Sequence, residues 1–454
     1  MKIFMSNVCK IYGLPESIKK ELKILLTKVN PQYYMLRNIK NVSKEDFTFR
    51  LYKEDGDTFI FPRGEILKII DVLKKRFDCK IIDGCSQGNE IEINGNLYDN
   101  LDDFQKEAID NLVNKRQSIL LSPTGSGKTL IMAGLIEKLK LSSLIVVHNS
   151  LLRDQWRNVF KKYFNYKCGL YGYGEKEIKD ITISTIQSLW RLSNEQILEM
   201  SERFGIVVFD ECHKVPARQI FRVANQMKCK YRFGVTGTVK RKDGLDFLIE
   251  SAFGRIYSVD ESEVKRIMNP EVHVVILPKL FYLYSSWHSL VECISQSKTR
   301  NEIIVENVKE YVKYGPNLVV VDRISHAKLL YDMLRMNVPT GLILGEVDIE
   351  TREEIKRKIL SGEIKVLVAT RNIISEGVDI PNLSVLHLVI PTSNNLFLEQ
   401  IVGRIRRISP GKKYSIIIDY VDQDEILYSM FVKRRSFYKK KNWMIKYQKG
   451  EFYE

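Results

Sequence analysis

Between residues 118 and 140 the chain leaves a short apolar run, Ser118-Ile119-Leu120-Leu121. It then passes through Ser122-Pro123-Thr124-Gly125-Ser126-Gly127-Lys128-Thr129 and enters the helical pattern 130–140. No other stretch constrains the fold as strongly. A glycine-rich turn that opens a helix gathers backbone N–H groups and the positive end of the helix dipole at one point, which suits a phosphate group. Lys128 is placed to reach terminal phosphates and Thr129 to ligate Mg²⁺, with Thr124, Gly125, Ser126 and Gly127 forming the cradle. Position 122 is Ser where the strict pattern has Gly. A strand feeding such a loop belongs to a parallel sheet covered by helices.

The rest of the chain repeats that alternation. SILLS, SLIVVHN, DITIST, IVVFDE and YRFGVTGT form one series of β-branched runs separated by helical patterns; EVHVVIL, NLVVVDR, TGLILG, KVLVAT, VLHLVI and YSIIIDY form a second. With 454 residues and 44% hydrophobic content the chain can bury more than one core. The expected division is an N-terminal α+β module over 1–95, an ATP-binding α/β lobe over 96–270, a second α/β lobe over 271–424, and a basic aromatic segment over 425–454. Within the module, Phe47 to Phe61 reads as a hairpin turned at Glu54-Asp55-Gly56-Asp57, Gly64 to Phe77 as a helix, and Asp83 to Asn96 as a polar linker. Its mixed charges suit a DNA-binding accessory domain and a packing cap equally.

The apolar run Ile206-Val207-Val208-Phe209 ends in Asp210-Glu211-Cys212-His213. A carboxylate at a strand end beside a phosphate loop suits Mg²⁺, and its neighbour suits the deprotonation of an attacking water. Asp210 is therefore assigned to the metal and Glu211 to the general base.

Together the SPTGSGKT loop and the DECH box resemble the superfamily 2 helicases, and further segments follow in that family's order from about Leu97 to Val421. The resemblance implies two tandem RecA-like lobes with parallel sheets, ATP and Mg²⁺ as cofactors, and a nucleic-acid partner. Gln105, in Leu101-Asp102-Asp103-Phe104-Gln105, matches the family's adenine-reading glutamine, although Asp102 stands near the usual arginine. Ser150 and Arg153, in His148 to Trp156, and Thr185 and Gln187, in Ile183 to Leu189, match segments that touch the nucleic-acid backbone; each hydroxyl also suits a helix N-cap. Thr236 and Thr238 match the motif that couples hydrolysis to movement, and a plain turn is the competing account. In the second lobe Thr370 is a candidate phosphate contact, and Gly377 and Asp379 face the nucleotide in relatives. Gln400, Arg404 and Arg407 match the family's Q-x-x-G-R-x-x-R element. Arg404 and Arg407, one turn apart, are expected to stabilise the γ-phosphate during transfer, and Arg406 to point elsewhere.

Within the superfamily, DECH, TGTVKRKDG and ISEGVDIP are most similar to the group containing phage UvsW, poxvirus transcription helicases and XPB. That similarity implies remodelling of branched DNA by fork regression, branch migration or unwinding, with 3′ to 5′ polarity. A DNA-dependent ATPase acting in transcription or transcript release is the second reading, and an ATP-switched nucleic-acid-binding protein that separates no strands is a third. RNA helicases of the DEAD type differ in both the box and the TGT segment.

Composition supports a polyanionic partner: the formal net charge is +15. The tail Lys433 to Lys449 interleaves basic residues with Phe437, Tyr438, Trp443 and Tyr447, which suits either single-stranded nucleic acid or a helix packed on the second lobe. Seven scattered cysteines lack metal or redox spacing and read as reduced core residues. Neither a signal peptide nor a spanning segment is expected, so the protein reads as intracellular, in host cytoplasm if phage-encoded.

Overall fold

The structure is a computed structural model; it describes residues 1–33, 47–123, 125–172, 174–238, 243–260, 267–280, 282–345, 347, 349–376 and 380–448. Two compact units divide the chain, one built from Met1–Pro123 and Gly127–Val264 and the other from Thr124–Ser126 and Lys265–Glu454.

The first unit opens with strands β1 (Lys2–Met5), β2 (Val8–Tyr12), β3 (Thr27–Val29), β4 (Thr48–Arg50), β5 (Lys53–Asp55), β6 (Thr58–Pro62) and β7 (Lys80–Asp83). Five of them form a sheet in the order β5-β6-β2-β1-β7, while β3 pairs only with β4. Period-2 alternation turns Ile3, Met5, Cys9, Ile11, Phe59 and Phe61 to one face, where they share a core with the buried sides of helices Glu16–Leu26 and Ile66–Leu73. The expected hairpin exists only over β5 and β6, turning between Asp55 and Thr58. Thr48–Arg50 is drawn away to β3, because buried Leu51 donates its N–H to Leu26 O at 2.9 Å.

Asp83 to Asn96 is not a free linker. Ser86 bridges to Cys229 and Glu90 to Leu141, and Cys85, Ile91 and Ile93 are buried. The module's core side chains also run into those of the adjoining α/β sheet as one hydrophobic cluster. Arg63 is fully buried and donates to Cys229 O at 2.7 Å and to Lys230 O at 2.5 Å. The expected helix from Gly64 to Phe77 is regular only from Ile66 to Leu73. Its first turn is a tight 3₁₀ turn, with Gly64 pressed so close to Ser251 O that a Cβ would lie 2.4 Å from it.

The larger sheet of this unit contains β8 (Gln117–Leu121), β9 (Ser143–Val147), β10 (Gly169–Gly172), β11 (Glu175–Lys176), β12 (Ile181–Thr185), β13 (Ile206–Asp210), β14 (Tyr231–Thr236) and β15 (Ile256–Ser258). Their order is β11-β10-β12-β9-β13-β14-β8-β15, with every pairing parallel except the β10–β11 hairpin. Parallel strands end on one edge. Residues following β8, β9, β12, β13 and β14 therefore meet there, the usual place for a ligand in such sheets.

In the second unit β16 (Glu271–Ile276), β17 (Asn317–Val321), β18 (Thr340–Ile343), β19 (Val366–Thr370), β20 (Val385–Leu388), β21 (Ile416–Val421) and β22 (Met444–Tyr447) form a wholly parallel sheet in the order β18-β19-β17-β20-β21-β16-β22. Asp419, fully buried, is held by Arg434 at 2.7 and 2.9 Å and by the Tyr438 hydroxyl at 2.9 Å. The tail thus takes the packing role over much of its length: helix Glu425–Lys440 buries Phe437 and Tyr438 against Trp443, and β22 extends the sheet. Those three rings are core rather than stacking platforms, and Tyr447 alone of the four expected aromatics stays exposed. Among the described residues no helix is long and apolar enough to cross a membrane.

Candidate nucleotide site and nucleic-acid interface

The loop after β8 ends at Gly127, the N-cap of helix Lys128–Leu139, with φ 80°. Glycine is needed there twice over. The left-handed backbone disfavours a side chain, and a Cβ would lie 2.6 Å from Gln105 Nε2. Lys128 Nζ donates to Ser122 O at 3.3 Å and to Pro123 O at 3.5 Å, and stands 4.0 Å from Glu211 Oε1. Gly125 has φ 92°, Ser126 is buried, and Thr124 lies outside the described residues. Gln105 is buried, and its Oε1 accepts from Asp102 N at 3.0 Å in a capping box that starts helix Asp103–Lys115. The amide expected to read adenine thus caps its own helix through Oε1, while its nitrogen lies next to Gly127 of the phosphate loop.

Asp210 and Glu211 follow β13. Asp210 accepts from Trp156 Nε1 at 2.9 Å through Oδ2 and from Glu211 N at 2.9 Å through Oδ1. Thr129 Oγ1 accepts from Gln155 Nε2 at 3.2 Å. The two proposed metal ligands are therefore held by consecutive residues of one helix, Ser150–Phe164. A hydroxyl and a carboxylate beside a phosphate loop form a hard-oxygen set that fits Mg²⁺, an ion that ordinarily completes its shell with water and substrate phosphates.

Burial and the adjacent Glu211 charge push the Asp210 carboxyl up. Burial would raise Glu211 too, but Lys128 and His213 outweigh it and hold that carboxyl well below the usual range, so it stands charged as a base must. Glu211 adopts φ 48°, a left-handed conformation that costs a non-glycine residue about 1–3 kcal/mol.

From Glu211 a polar chain runs to the end of β14. His213 Nδ1 lies 3.1 Å from Glu211 Oε2 and 2.7 Å from Thr236 Oγ1. The Thr236 hydroxyl donates to Thr238 O at 2.6 Å and accepts from Thr238 N at 3.1 Å. The His213 Nδ1 thus lies between the Glu211 carboxylate and the Thr236 hydroxyl.

The residues expected on nucleic acid fare unequally. Ser150 opens its helix without capping it, since Asn149 Oδ1 accepts from Leu152 N at 2.9 Å. Arg153 lies 3.1 Å from Asp154 and 3.7 Å from Glu175. Thr185 is buried and caps its helix: its hydroxyl accepts from Ser188 N at 3.3 Å, and Ser188 Oγ lies 2.8 Å away. Gln187 donates to His148 O at 3.0 Å from an exposed position.

In the second unit Thr370 ends β19 and is buried, while Gly377 and Asp379 lie outside the described residues. Gln400 and Arg404 lie one turn apart on helix Asn395–Ile405, and Arg404 Nη2 donates to Ile374 O at 3.2 Å. Arg407 follows the C-cap Arg406, so it does not share a helical face with Arg404 as the spacing predicts. Past the helix end, Lys412 Nζ donates to Ile405 O at 2.6 Å and Arg407 O at 2.7 Å. Arg406 turns away to Met268 O at 3.1 Å and to the Trp443 ring.

Two family models match the chain: "Type III restriction enzyme, res subunit" over residues 99–241 and "Helicase conserved C-terminal domain" over 299–409, together more than half of its length. The chain is a superfamily 2 helicase. Helicase D10 of Escherichia phage T5 is 28% identical to it over 308 residues, 67% of each chain. The DNA 3'-5' translocase XPB2 of Sulfurisphaera tokodaii is 25% identical over 401 residues, 76% of this chain and 89% of the relative. The ATP-dependent DNA helicase uvsW of Enterobacteria phage T4 is 25% identical over 344 residues, 70% and 68%. Among solved structures, Dbp5 of S. cerevisiae bound to RNA and ADP BeF3 matches with a TM-score of 0.57 at 14% identity, covering 76% of this chain and 90% of that one, a likeness of fold.

This helicase is an ATP-dependent enzyme acting on nucleic acid. Reading the sequence left three of its site residues without a role: Trp156, Gln155 and His213. A tryptophan on a helix beside the DECH strand and a histidine two residues past the glutamate were both legible. Their hydrogen bonds depend on strand order, which the sequence does not state.

Proposed function

We propose that the chain is a DNA translocase that moves 3′ to 5′ and remodels branched DNA by fork regression, branch migration and unwinding. The polar chain Glu211–His213–Thr236–Thr238 is the observation that carries the motor reading, because it joins the proposed general base to the proposed coupling threonines. DNA and direction are supported by the likeness to a DNA 3'-5' translocase from S. tokodaii.

In this reading Lys128 binds the terminal phosphates, Thr124 to Thr129 cradle them, and Gln105 borders the nucleotide side of that loop. Glu211 orients and deprotonates the attacking water, and Lys128 keeps it charged. Thr129 and Asp210 hold Mg²⁺, which when bound polarises the transferring phosphoryl group. Gln400, Arg404 and Arg407 serve the transition state; an arginine in that role is worth about 10³ to 10⁵ in rate. Gly377 and Asp379 belong to the nucleotide side, and Ser150, Arg153, Thr185, Gln187 and Thr370 grip the backbone without reading sequence.

The test is strand displacement on forked and four-way DNA, with single-stranded extensions of defined polarity. ATP-dependent movement of branch points, with loading on the 3′ extension, is the expected result. DNA-stimulated turnover with no strand displacement on any of them would favour an ATP-controlled binder.

A further inference from the structure

The five-stranded sheet of the N-terminal module has one covered face and one open face. Opposite its core residues, strand alternation points Lys2 and Phe4 of β1, Lys10 and Tyr12 of β2, Ile60 of β6, Lys53 and Asp55 of β5, and Lys80 and Ile82 of β7 outward. Four lysines thus share this face with a single carboxylate, Asp55. None of the four has a carboxylate partner among the described residues, whereas Lys23 and Arg76 on the covered side are paired to Glu54 and Glu21.

Lys2 and Lys80 stand directly opposite each other on adjacent strands. Like charges in that register destabilise a sheet, and an anion lying between them removes the cost. Phe4 and Tyr12 are 37% and 52% exposed, with ring centroids 5.4 Å apart at 82°. Two aromatic rings set among unpaired lysines on an open sheet combine a backbone charge match with stacking surfaces for unstacked bases.

We propose that this face binds single-stranded DNA, its phosphates on Lys2, Lys10, Lys53 and Lys80 and its bases on Phe4 and Tyr12. The identity of the strand, one exposed by the motor, rests on the function proposed above; the binding itself does not. Both rings and all four lysines lie outside the nucleotide site.

The experiment measures fluorescence anisotropy of a labelled oligothymidylate with the full chain over a salt series, without ATP. Replacing the four lysines together by glutamine should weaken binding and flatten the slope of log affinity against log salt by up to about 3, since each single-strand phosphate contact contributes about 0.7. Replacing them by arginine should preserve both. Phe4→Ala with Tyr12→Ala should weaken binding about thirtyfold or more with the slope retained. Turnover of ATP without nucleic acid, and circular dichroism, should match the unaltered protein in all three.

Unchanged affinity and slope in the glutamine variant would overturn the proposal, as would a loss confined to duplex DNA. If no DNA stimulates ATP turnover by the unaltered protein, the translocase reading fails while the anisotropy still decides the sheet face.

Discussion

Trp156 Nε1 donates to Asp210 Oδ2 at 2.9 Å inside the protein, with the indole fully buried. The next residue toward the N-terminus, Gln155, donates to Thr129 at 3.2 Å. One helix, whose first turn carries Ser150 and Arg153, therefore fixes both proposed Mg²⁺ ligands. Any shift of that helix reaches the metal through two adjacent side chains.

Trp156→Phe keeps most of the buried ring and removes the donor. A hydrogen bond to a charged group is worth roughly 1.5–3 kcal/mol, so the Mg²⁺ concentration that half-saturates ATP turnover should rise about tenfold or more. Titrating Mg²⁺ at saturating ATP checks this. An unchanged midpoint would reduce Trp156 to packing.

Lys128→Ala should lower ATP turnover by at least about 10²–10³, the usual cost of removing one preorganised charge-stabilising donor. DNA affinity measured without nucleotide should change little. Retained turnover would remove Lys128 from the site.

Thr236→Val preserves shape and deletes the hydroxyl that links His213 to Thr238. Basal hydrolysis should persist, with stimulation by DNA reduced about tenfold, in line with the loss of a buried hydrogen-bonded pair. Parallel assays of turnover and strand displacement separate this uncoupling from simple loss of activity.

Stability of the second unit should fall in mild acid. Burial pushes His387 and His326 down to about 3 from an ordinary 6.5, so the unfolded chain binds protons there that the folded chain refuses. The stabilisation is complete above pH 6.5 and is lost progressively as pH drops below it. Between pH 7.5 and 5.5 each histidine should contribute a loss of about 1.4 kcal/mol. Urea unfolding followed at both values tests it, and His387→Gln should remove about half of the difference.

Strand succession was legible because each core strand is a short β-branched run, and the phosphate loop because its neighbours are a strand and a helix. Strand order was not legible, and with it went the Trp156–Asp210 and His213–Thr236 contacts. Capping was the recurrent feature that motif matching did not show. Gln105 and Thr185 match nucleotide-binding and backbone-binding motifs, yet their side-chain oxygens serve the first turns of their own helices. Arg407 shows the converse limit: three-residue spacing implies a shared face only if the helix continues, and it ends at Ile405. In the tail, aromatic and basic interleaving could not distinguish rings exposed for stacking from rings that pack, as Phe437, Tyr438 and Trp443 do.

The central claim is tested most directly by ATP turnover of the purified protein with no nucleic acid, single-stranded DNA, duplex DNA, a four-way junction and RNA, all at one salt concentration because phosphate binding varies steeply with salt. The strongest stimulation should come from the junction or a fork. Strongest stimulation by RNA would contradict the assignment of DNA as the track.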